Sequence, residues 1–376
     1  MTTRTKASAS VDAHLAARHK RLRAVLKDRE LDACYISNAN DVRYLIGQPG
    51  EDCFVVMTAK SFHVFSDFRY EEELEPLKSW ATVVIRRRTL AEEVATIVGD
   101  LKVARIAVQA EHMKVDERRT LAKAVGAKVL HDTVGLLSAL REIKDEEEIG
   151  LIRKAVKIQQ EALQACLADL RPGEQTESQF AALLEYEMRR RGAESESFTS
   201  IVAAKANGSR PHYRPSPRVK ITRNQPLLID WGARVDGYCS DLTRTFAIGR
   251  FPKKVREIYE IVLEAQLAAI DAIRPGARLV DVDAAARDHI ARAGYGDHFG
   301  HGLGHGIGLN VHEQPSLSWR ADRKAELRPG MITTVEPGIY LPGIGGVRIE
   351  DDVLVTETGH TVLSSYPKTI DSAVLA

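Results

Sequence analysis

Residues 227–246 read LLIDWGARVDGYCSDLTRTF. The dipeptide Asp236-Gly237 in this stretch favours a two-residue turn between antiparallel strands. If these two residues form the turn, positions whose numbers sum to 473 face each other across the hairpin. Asp230 and Asp241 then point to the same side as diagonal neighbours, about 7–8 Å apart. The stretch therefore predicts a hairpin that presents two carboxylates on one face.

Both aspartates are expected to be buried. Asp230 directly follows the apolar run of residues 226–229, and a buried carboxylate is costly unless it is paired or binds a metal. Gly232, which would face Asp241 across the hairpin, leaves space for an ion. Two metal ions in such sites lie about 3.5–4 Å apart, a span that these carboxylates can share. The hairpin thus predicts one side of a metal centre.

The sequence predicts the same arrangement twice, over residues 161–192 and 264–294: a helix, the tripeptide Arg-Pro-Gly and a second helix that ends in glycine. The two tripeptides are 103 residues apart. The residues after each unit follow with similar offsets of 100, 106 and 109: His212 and His312, Asp230 and Glu336, and Asp241 and Glu350. A repeat of this kind indicates a duplicated unit. We expect two halves that face each other and share one polynuclear metal site.

A cluster of histidines lies in the second half, where residues 298–312 read HFGHGLGHGIGLNVH. The stretch lacks the glutamate of the HExxH motif, and its glycines disfavour a helix, so a zincin helix is excluded. Mixed carboxylate and imidazole ligands favour Mn, Co, Zn or Fe over Ca. Arg348 stands two residues before Glu350, on the same strand face, where it can orient a metal-binding carboxylate.

The earlier part of the chain follows a different pattern. Residues 11–142 alternate helical segments, including those near 90–99 and 116–125, with short β-rich runs, which indicates a compact α/β domain. The charged stretch at 144–148 opens a long helix that begins a second domain over 143–376. Residues 1–10 are predicted to be a disordered tail.

Composition excludes several classes of protein. The formal net charge of +1 argues against a nucleic-acid binder, and the basic runs at 86–88 and 189–191 are interpreted as solvated surface. No apolar run of about 18 residues or secretory leader is seen, so we expect no membrane association. Four scattered cysteines without a CxxC pair favour reduced thiols and a cytoplasmic protein.

Several separated stretches closely resemble the pita-bread metallopeptidases, which include Xaa-Pro aminopeptidases, prolidases and methionine aminopeptidases. These stretches are LLIDWGARVDGYCSDLTRTF (227–246), GHGIGLNVHEQP (304–315), TVEPGIY (334–340) and GVRIEDDVLV (346–355). ISNANDVRYLIG (36–47) and FSDFRYEEE (65–73) resemble the creatinase-type N-terminal domain of the Xaa-Pro branch. The resemblance implies an α/β creatinase-type N-terminal domain followed by an α+β pita-bread catalytic domain with an internal pseudo-twofold repeat.

The resemblance also implies a dinuclear metal site with five ligands: Asp230, Asp241, His305, Glu336 and Glu350. Asp241 and Glu350 would bridge two divalent ions, with Mn expected and Co, Zn or Fe as alternatives. Asp230 would bind one ion, and His305 and Glu336 the other. A metal-activated water would be the nucleophile, with Glu336 as its general base and later as proton donor to the leaving amine.

Further residues match substrate-facing positions of that family. His212 and His312 would bind the substrate carbonyl and stabilise the oxyanion, and Tyr340 and Arg348 would support the site. Among the remaining histidines, His301 either lines the pocket or packs, and His298 is predicted to be structural or exposed.

The predicted function is a metal-dependent exopeptidase that hydrolyses Xaa-Pro bonds, an Xaa-Pro aminopeptidase acting on proline-containing peptides. An Xaa-Pro dipeptidase remains an alternative. A creatinase-like hydrolase that is not a peptidase and a non-catalytic binding scaffold on the same fold are further alternatives. The resemblance suggests a homodimer. One departure is the arginine-rich stretch AAKANGSRPHYRPSP (203–217), which bears on specificity.

Overall fold

The computed structural model describes residues 11–376 of the chain, which divides into two compact units, Met1–Arg141 and Glu142–Ala376. The sequence places the domain boundary between residues 142 and 143. The predicted disordered tail, residues 1–10, lies outside the described residues.

The described part of the first unit is a mixed six-stranded sheet with helices. Its helices are α1 (Ala13–Asp28), α2 (Ala39–Ile46), α3 (Leu90–Asp100), α4 (Val115–Val125) and α5 (Ser138–Arg141). Its strands are β1 (Ala33–Ile36), β2 (Phe54–Thr58), β3 (Phe62–Ser66), β4 (Thr82–Ile85), β5 (Ile106–Gln109) and β6 (Leu130–Thr133). They are arranged in the order β4-β3-β2-β1-β5-β6. The alternating α/β pattern predicted from the sequence is confirmed over these residues.

Local sequence explains several of these helix ends. Thr89 and Glu92 form a capping box at the start of α3, which satisfies backbone N–H groups that the first helical turn leaves free. The helix α2 was not predicted. It begins with a cap, since the Asn38 side chain accepts a hydrogen bond from the Asp41 backbone, and it ends at Gly47 with a left-handed φ of 74°. Asx caps and glycine ends of this kind are readable signals.

A buried polar cluster ties the first unit together. Asp41 on α2 accepts hydrogen bonds from Arg141 on α5 at 2.6 Å and from Gln109 on β5 at 2.5 Å. Gln109 in turn accepts from the backbone of Ser37 at 2.9 Å. All three side chains of the cluster are at least nine-tenths buried. Because each charge depends on its partner, removal of one leaves the other uncompensated.

We therefore expect Arg141→Met to lower the free energy of unfolding by about 3–5 kcal/mol, since it leaves the Asp41 carboxylate buried without its cation. Urea unfolding of the full chain, followed by circular dichroism, measures this. The control is Glu30→Gln, which breaks the exposed ion pair with Arg105 and should cost no more than about 1 kcal/mol. Equal losses in the two variants would contradict the role assigned to the cluster.

The second unit contains four long helices and several small sheets within the described residues. Its helices are α6 (Glu146–Ala168), α7 (Glu177–Arg190), α8 (Lys253–Ala272) and α9 (Leu279–Arg292). The strands of its first half are β7 (Ser195–Glu196), β8 (Ile201–Ala204), β9 (Pro226–Trp231), β10 (Ala233–Val235), β11 (Tyr238–Cys239) and β12 (Leu242–Ile248). Those that follow are β13 (Gly304–Gly306), β14 (Glu313–Leu317), β15 (Ile332–Val335), β16 (Gly338–Leu341), β17 (Gly345–Arg348), β18 (Asp351–Val355), β19 (His360–Val362) and β20 (Val374–Leu375).

The order of these elements shows the predicted duplication. The helix pairs α6/α7 and α8/α9 each precede a set of antiparallel strands. In the first set β9 pairs with β8 and β12, and in the second set β15 pairs with β13 and β18. One continuous apolar core packs against both sets of helices. The two halves therefore have matching helix pairs and matching central strands.

The hairpin that carries the two aspartates has the predicted register. Asp230 faces Thr243 in the β9/β12 pair, and the turn residues Asp236 and Gly237 have φ angles of 46° and 81°, as a type I′ turn requires. A Cβ at Gly232 would lie 1.9 Å from the Ser240 carbonyl oxygen. The two strands therefore approach so closely at this point that only glycine fits.

Among residues 11–376, no helix combines the length and the apolar character that a bilayer crossing requires.

Candidate metal centre

One cavity of about 510 Å³ in the second unit brings together the residues that the sequence singled out. Its lining includes the five predicted metal ligands, the two predicted substrate-facing histidines, the supporting arginine and one further histidine: Asp230, Asp241, His305, Glu336, Glu350, His212, His312, Arg348 and His301. Tyr340 contacts this set through its hydroxyl group. His298 does not line the cavity. Residues up to 138 positions apart in the chain thus meet in one place.

The positions of the acids follow from the strands. Asp230 lies near the end of β9, and Asp241 immediately precedes the paired strand β12. Glu336 directly follows β15, and Glu350 lies between β17 and β18. Strand ends in the two halves of the repeat therefore supply all four carboxylates.

Three side chains offer ligand atoms to a common point. Atoms of Asp241, His305 and Glu350 all lie within 4.8 Å of one another. The Nε2 atom of His305 is 3.8 Å from Asp241 Oδ2 and 3.3 Å from Glu336 Oε1. The Nδ1 atom of the same ring is 3.0 Å from the Gly306 carbonyl oxygen. The contact between Nδ1 and the Gly306 carbonyl oxygen fixes the ring orientation and leaves Nε2 directed at the carboxylates.

Arg348 is the arginine that contacts the carboxylates of the site. Its Nη2 donates to Asp230 Oδ2 at 2.5 Å, and its Nε donates to the Thr243 hydroxyl at 3.0 Å. Thr243 in turn donates to Glu350 Oε2 at 2.6 Å. Arg348 therefore orients Asp230 directly and Glu350 through Thr243. The sequence suggested the contact of Arg348 with a carboxylate but gave no sign of Thr243.

The carboxylates strongly influence one another. Burial, followed by repulsion from Glu350 and Asp230, holds the pKa of Asp241 well above its usual range. Burial and repulsion from Glu336 and Asp230 do the same to the pKa of Glu350. Burial also opposes the ionised form of Glu336, but the hydrogen bond and charge of His305 lower the pKa of Glu336 to about 2. The protein alone thus leaves part of this negative charge uncompensated.

The donor atoms fit divalent metal ions. The Oδ1 atoms of Asp230 and Asp241 are buried and have no hydrogen-bond partner among the described residues. Buried polar atoms are normally paired, and these two face a cavity with two further carboxylates and an imidazole. Two divalent ions would balance the four carboxylate charges and supply the missing partners. The residues present therefore suit the predicted cofactor.

The non-ligand histidines line the same cavity. The rings of His305 and His312 meet edge to face at 4.4 Å between centroids, and burial lowers the pKa of His312. His301 Nε2 lies 2.9 Å from the Tyr340 hydroxyl, which accepts from Arg348 Nη1 at 2.9 Å. His301 therefore lines the pocket, the first of the two roles left open by the sequence, and is joined to Arg348 through Tyr340.

Two supporting groups were not found from the sequence. Asp352 is fully buried, and its Oδ2 accepts a hydrogen bond from the Asp241 backbone at 3.1 Å. Asp283 on α9 accepts from the Leu303 backbone and from Arg287, which donates to the carbonyl oxygens of residues 299 and 301. These contacts hold the loop that carries His301. The Asp241–Asp352 contact spans 111 residues, and an Asp or Arg on a helix carries no local signal of a role in holding a distant loop.

The comparisons with known proteins agree with this geometry. Residues 150–357 match the model of metallopeptidase family M24, and residues 18–143 match that of the creatinase/prolidase N-terminal domain. The chain is 36% identical over 349 residues to the uncharacterized peptidase YqhT of Bacillus subtilis, covering 93% of this chain and 98% of the relative. The chain belongs to metallopeptidase family M24.

Solved structures show the same architecture over nearly the whole length. The Xaa-Pro dipeptidase from Bacillus anthracis is 36% identical with a TM-score of 0.90, covering 96% of this chain and 100% of that one. The X-Pro aminopeptidase from Thermotoga maritima is 33% identical with a TM-score of 0.87, again covering 96% and 100%. The predicted fold class, a creatinase-type domain followed by a pita-bread catalytic domain, is confirmed, and the chain is a peptidase that uses divalent metal ions.

Divalent metal should stabilise the folded protein, because it binds the native cavity and not the unfolded chain. After removal of metal by a chelator, Mn²⁺ at 100 times its Kd should add about 2.7 kcal/mol, seen as a rise in the midpoint of thermal unfolding. Asp241→Asn should lose most of this rise. The control Asp281→Asn, an exposed carboxylate on α9 paired with Arg278, should keep it. A full metal-induced rise in Asp241→Asn would contradict the site.

The backbone of Gly304, next to His305, lies very close to the backbone of Thr334. A Cβ at Gly304 would lie 2.0 Å from the Thr334 carbonyl oxygen, whereas a Cβ at Gly300 would have no atom within 4 Å. Gly304→Ala should therefore lower the free energy of unfolding by about 1–3 kcal/mol and weaken metal binding. Gly300→Ala should change neither quantity. Isothermal titration with Mn²⁺ and thermal unfolding of both variants test this difference between Gly304 and Gly300. Similar metal binding and stability in the two variants would refute it.

Proposed function

We propose that this metallopeptidase is an exopeptidase that hydrolyses Xaa-Pro bonds, and that it acts as an Xaa-Pro aminopeptidase. The observation that carries the proposal is the single cavity in which five metal-ligand candidates meet three further histidines and Arg348. The activities named for the two structural relatives support the Xaa-Pro preference. Because one relative is a dipeptidase, the Xaa-Pro dipeptidase stays as the second candidate.

The five candidate residues are proposed to hold two divalent ions, Mn²⁺ in the first place and Co²⁺, Zn²⁺ or Fe²⁺ as alternatives. Asp230, Asp241, Glu336 and Glu350 would hold the ions through carboxylate oxygens, and His305 would hold them through its imidazole nitrogen. When bound, the ions supply Lewis acidity and lower the pKa of water at the site. The oxygen and nitrogen donors and the two buried unpartnered carboxylate oxygens support this arrangement.

The protein groups around the ions have distinct proposed roles. Glu336 lies at the cavity wall within 3.3 Å of His305 and would accept a proton from the attacking water and return it to the leaving amine. His212 and His312 would donate hydrogen bonds to the substrate carbonyl as negative charge develops on its oxygen. Arg348, which is bonded to Asp230, Thr243 and Tyr340, would keep the carboxylates in place as that charge changes.

Other parts of the prediction are proposed on separate grounds. We propose residues 11–142 as the creatinase-like N-terminal domain and residues 143–376 as the catalytic domain, which the family matches at 18–143 and 150–357 support. A reducing cytoplasmic environment is supported by four cysteines that are all free and buried. A homodimer and a proline-containing peptide substrate complete the proposal. The five ligand candidates in one cavity favour the peptidase over a creatinase-like hydrolase.

The activity test uses the full chain reconstituted in turn with Mn²⁺, Co²⁺, Zn²⁺ or Fe²⁺. We expect release of the first residue from Xaa-Pro-Xaa peptides, with weaker turnover of Xaa-Pro dipeptides. Preference for the dipeptides would select the dipeptidase instead. If neither substrate type is cleaved after reconstitution with any of the four metals, the proposed function is wrong.

His312→Ala tests the role of the substrate-facing histidines. It should lower kcat by about 10²–10³-fold, because a hydrogen-bond donor to the developing charge is lost, while metal content measured by elemental analysis stays unchanged. His298→Ala removes a histidine that does not line the cavity and should keep kcat within about twofold of the unaltered protein. An unchanged kcat in His312→Ala would remove this histidine from the mechanism.

A further inference from the structure

A buried carboxylate outside the cavity makes a set of contacts that the proposed reaction does not use. Glu177 is the first residue of α7, is fully buried and does not line the cavity. Its Oε1 accepts hydrogen bonds from the Ala204 backbone at 2.7 Å and from Asn207 Nδ2 at 2.9 Å. Its Oε2 accepts from the Tyr213 hydroxyl at 2.8 Å and from the Ser216 backbone at 3.0 Å.

All four donors belong to one segment, residues 204–216, and this segment carries His212. Two of the donors, Tyr213 and Ser216, lie within four residues of His212 on its C-terminal side. Asn207 also donates to the Tyr213 hydroxyl at 2.9 Å, which joins the parts of the segment on either side of His212. Ser178, the next residue of α7, donates its hydroxyl to the Pro215 carbonyl oxygen at 2.7 Å. The start of α7 thus determines where the His212 segment lies.

The charge of Glu177 is compensated in an unusual way. Within residues 11–376, no ion pair joins Glu177 to a lysine, arginine or histidine, although a fully buried carboxylate is costly without compensation. Four donated hydrogen bonds fill the accepting capacity of a carboxylate. Its place in the first turn of α7 adds the favourable end of the helix dipole. The donors of the segment therefore compensate the charge of the buried carboxylate. In return, the carboxylate holds the segment in one favoured position.

From these contacts we propose that Glu177 is a positioning residue that holds His212 at the cavity for catalysis. The inference rests on the proposed function, because it assigns Glu177 an effect through the catalytic role of His212. The second half of the repeat has a comparable device, since Asp283 on α9, together with Arg287, holds the loop that carries His301. Each half of the catalytic unit then fixes one cavity-lining histidine by a buried carboxylate on its second helix.

Glu177→Gln is the sharpest variant because it keeps size and shape. All four partners of Glu177 are donors in the structure, so the amide of glutamine must face at least one of them and leave a buried N–H without an acceptor. A displacement of about 1 Å at a catalytic group can cost about 10²-fold in rate. We expect kcat/KM on an Xaa-Pro-Xaa peptide to fall by about 10–100-fold, mainly in kcat, with metal content unchanged.

A double-mutant cycle separates positioning from a general structural effect. If Glu177 acts through His212, then Glu177→Gln should have an effect of no more than about twofold in a His212→Ala background. If the two losses multiply instead, the inference is wrong. Glu177→Asp, which keeps the charge on a shorter side chain, should restore part of the activity lost in Glu177→Gln.

Glu187→Gln is the matched control. Glu187 is a mostly buried carboxylate on the same helix that pairs with Arg190 and Arg191. Within residues 11–376 it has no hydrogen bond or ion pair to the His212 segment. Its substitution should leave kcat/KM within about twofold of the unaltered protein. A loss as large as that in Glu177→Gln would show that any weakening of α7 lowers activity, and would overturn the inference.

Folding of the variants is checked by thermal unfolding with Mn²⁺ present. If Glu177→Gln does not fold, Asn207→Ala decides the question, because it removes one donor and keeps the carboxylate. It should lower kcat/KM by about 2–10-fold, less than the loss expected for full misplacement, and no loss would overturn the inference. If the unaltered protein cleaves no Xaa-Pro peptide, the proposed function is wrong. If the unaltered protein is active and Glu177→Gln is equally active, only this inference is wrong.

Discussion

Four carboxylates that share one cavity are the constraint on which the catalytic unit depends. Asp230, Asp241, Glu336 and Glu350 line the same space, and their mutual repulsion together with burial raises the pKa of three of them. One arginine, Arg348, and one imidazole offset only part of that charge. A protein keeps such an arrangement when a cation completes it, and the chemistry of a two-metal site follows from the same requirement.

The duplicated architecture explains how so much charge is brought together. Each half supplies a helix pair and antiparallel strands, and the strand ends place two carboxylates from each half in the cavity. The Thr243 hydroxyl then orients Glu350, and Asp352 accepts a hydrogen bond from the Asp241 backbone. Packing of the two halves around one apolar core supplies the stability that the charged cavity lacks.

Much of the site could be predicted because its signals are local. The Asp236-Gly237 turn fixed the register between β9 and β12, and the structure confirms that Asp230 faces Thr243. The offsets between the two halves related the remaining acids to these two. Thr243, Asp352, Asp283 and Glu177 could not be found in this way, because threonines and acids are common and their roles depend on partners as far as 111 residues away.

The sequence by itself determined the central hairpin, its turn and the repeat, because periodicity, turn chemistry and residue type are properties of short segments. The candidate metal ligands followed from the resemblance of separated motifs to one family. The resemblance to the pita-bread metallopeptidases had already singled out His305. Only the tertiary structure decided that His301 stands beside Tyr340 and which buried carboxylates hold the loops in place. Those choices are made by contacts between distant segments, where distance and orientation determine whether a side chain binds, donates or packs.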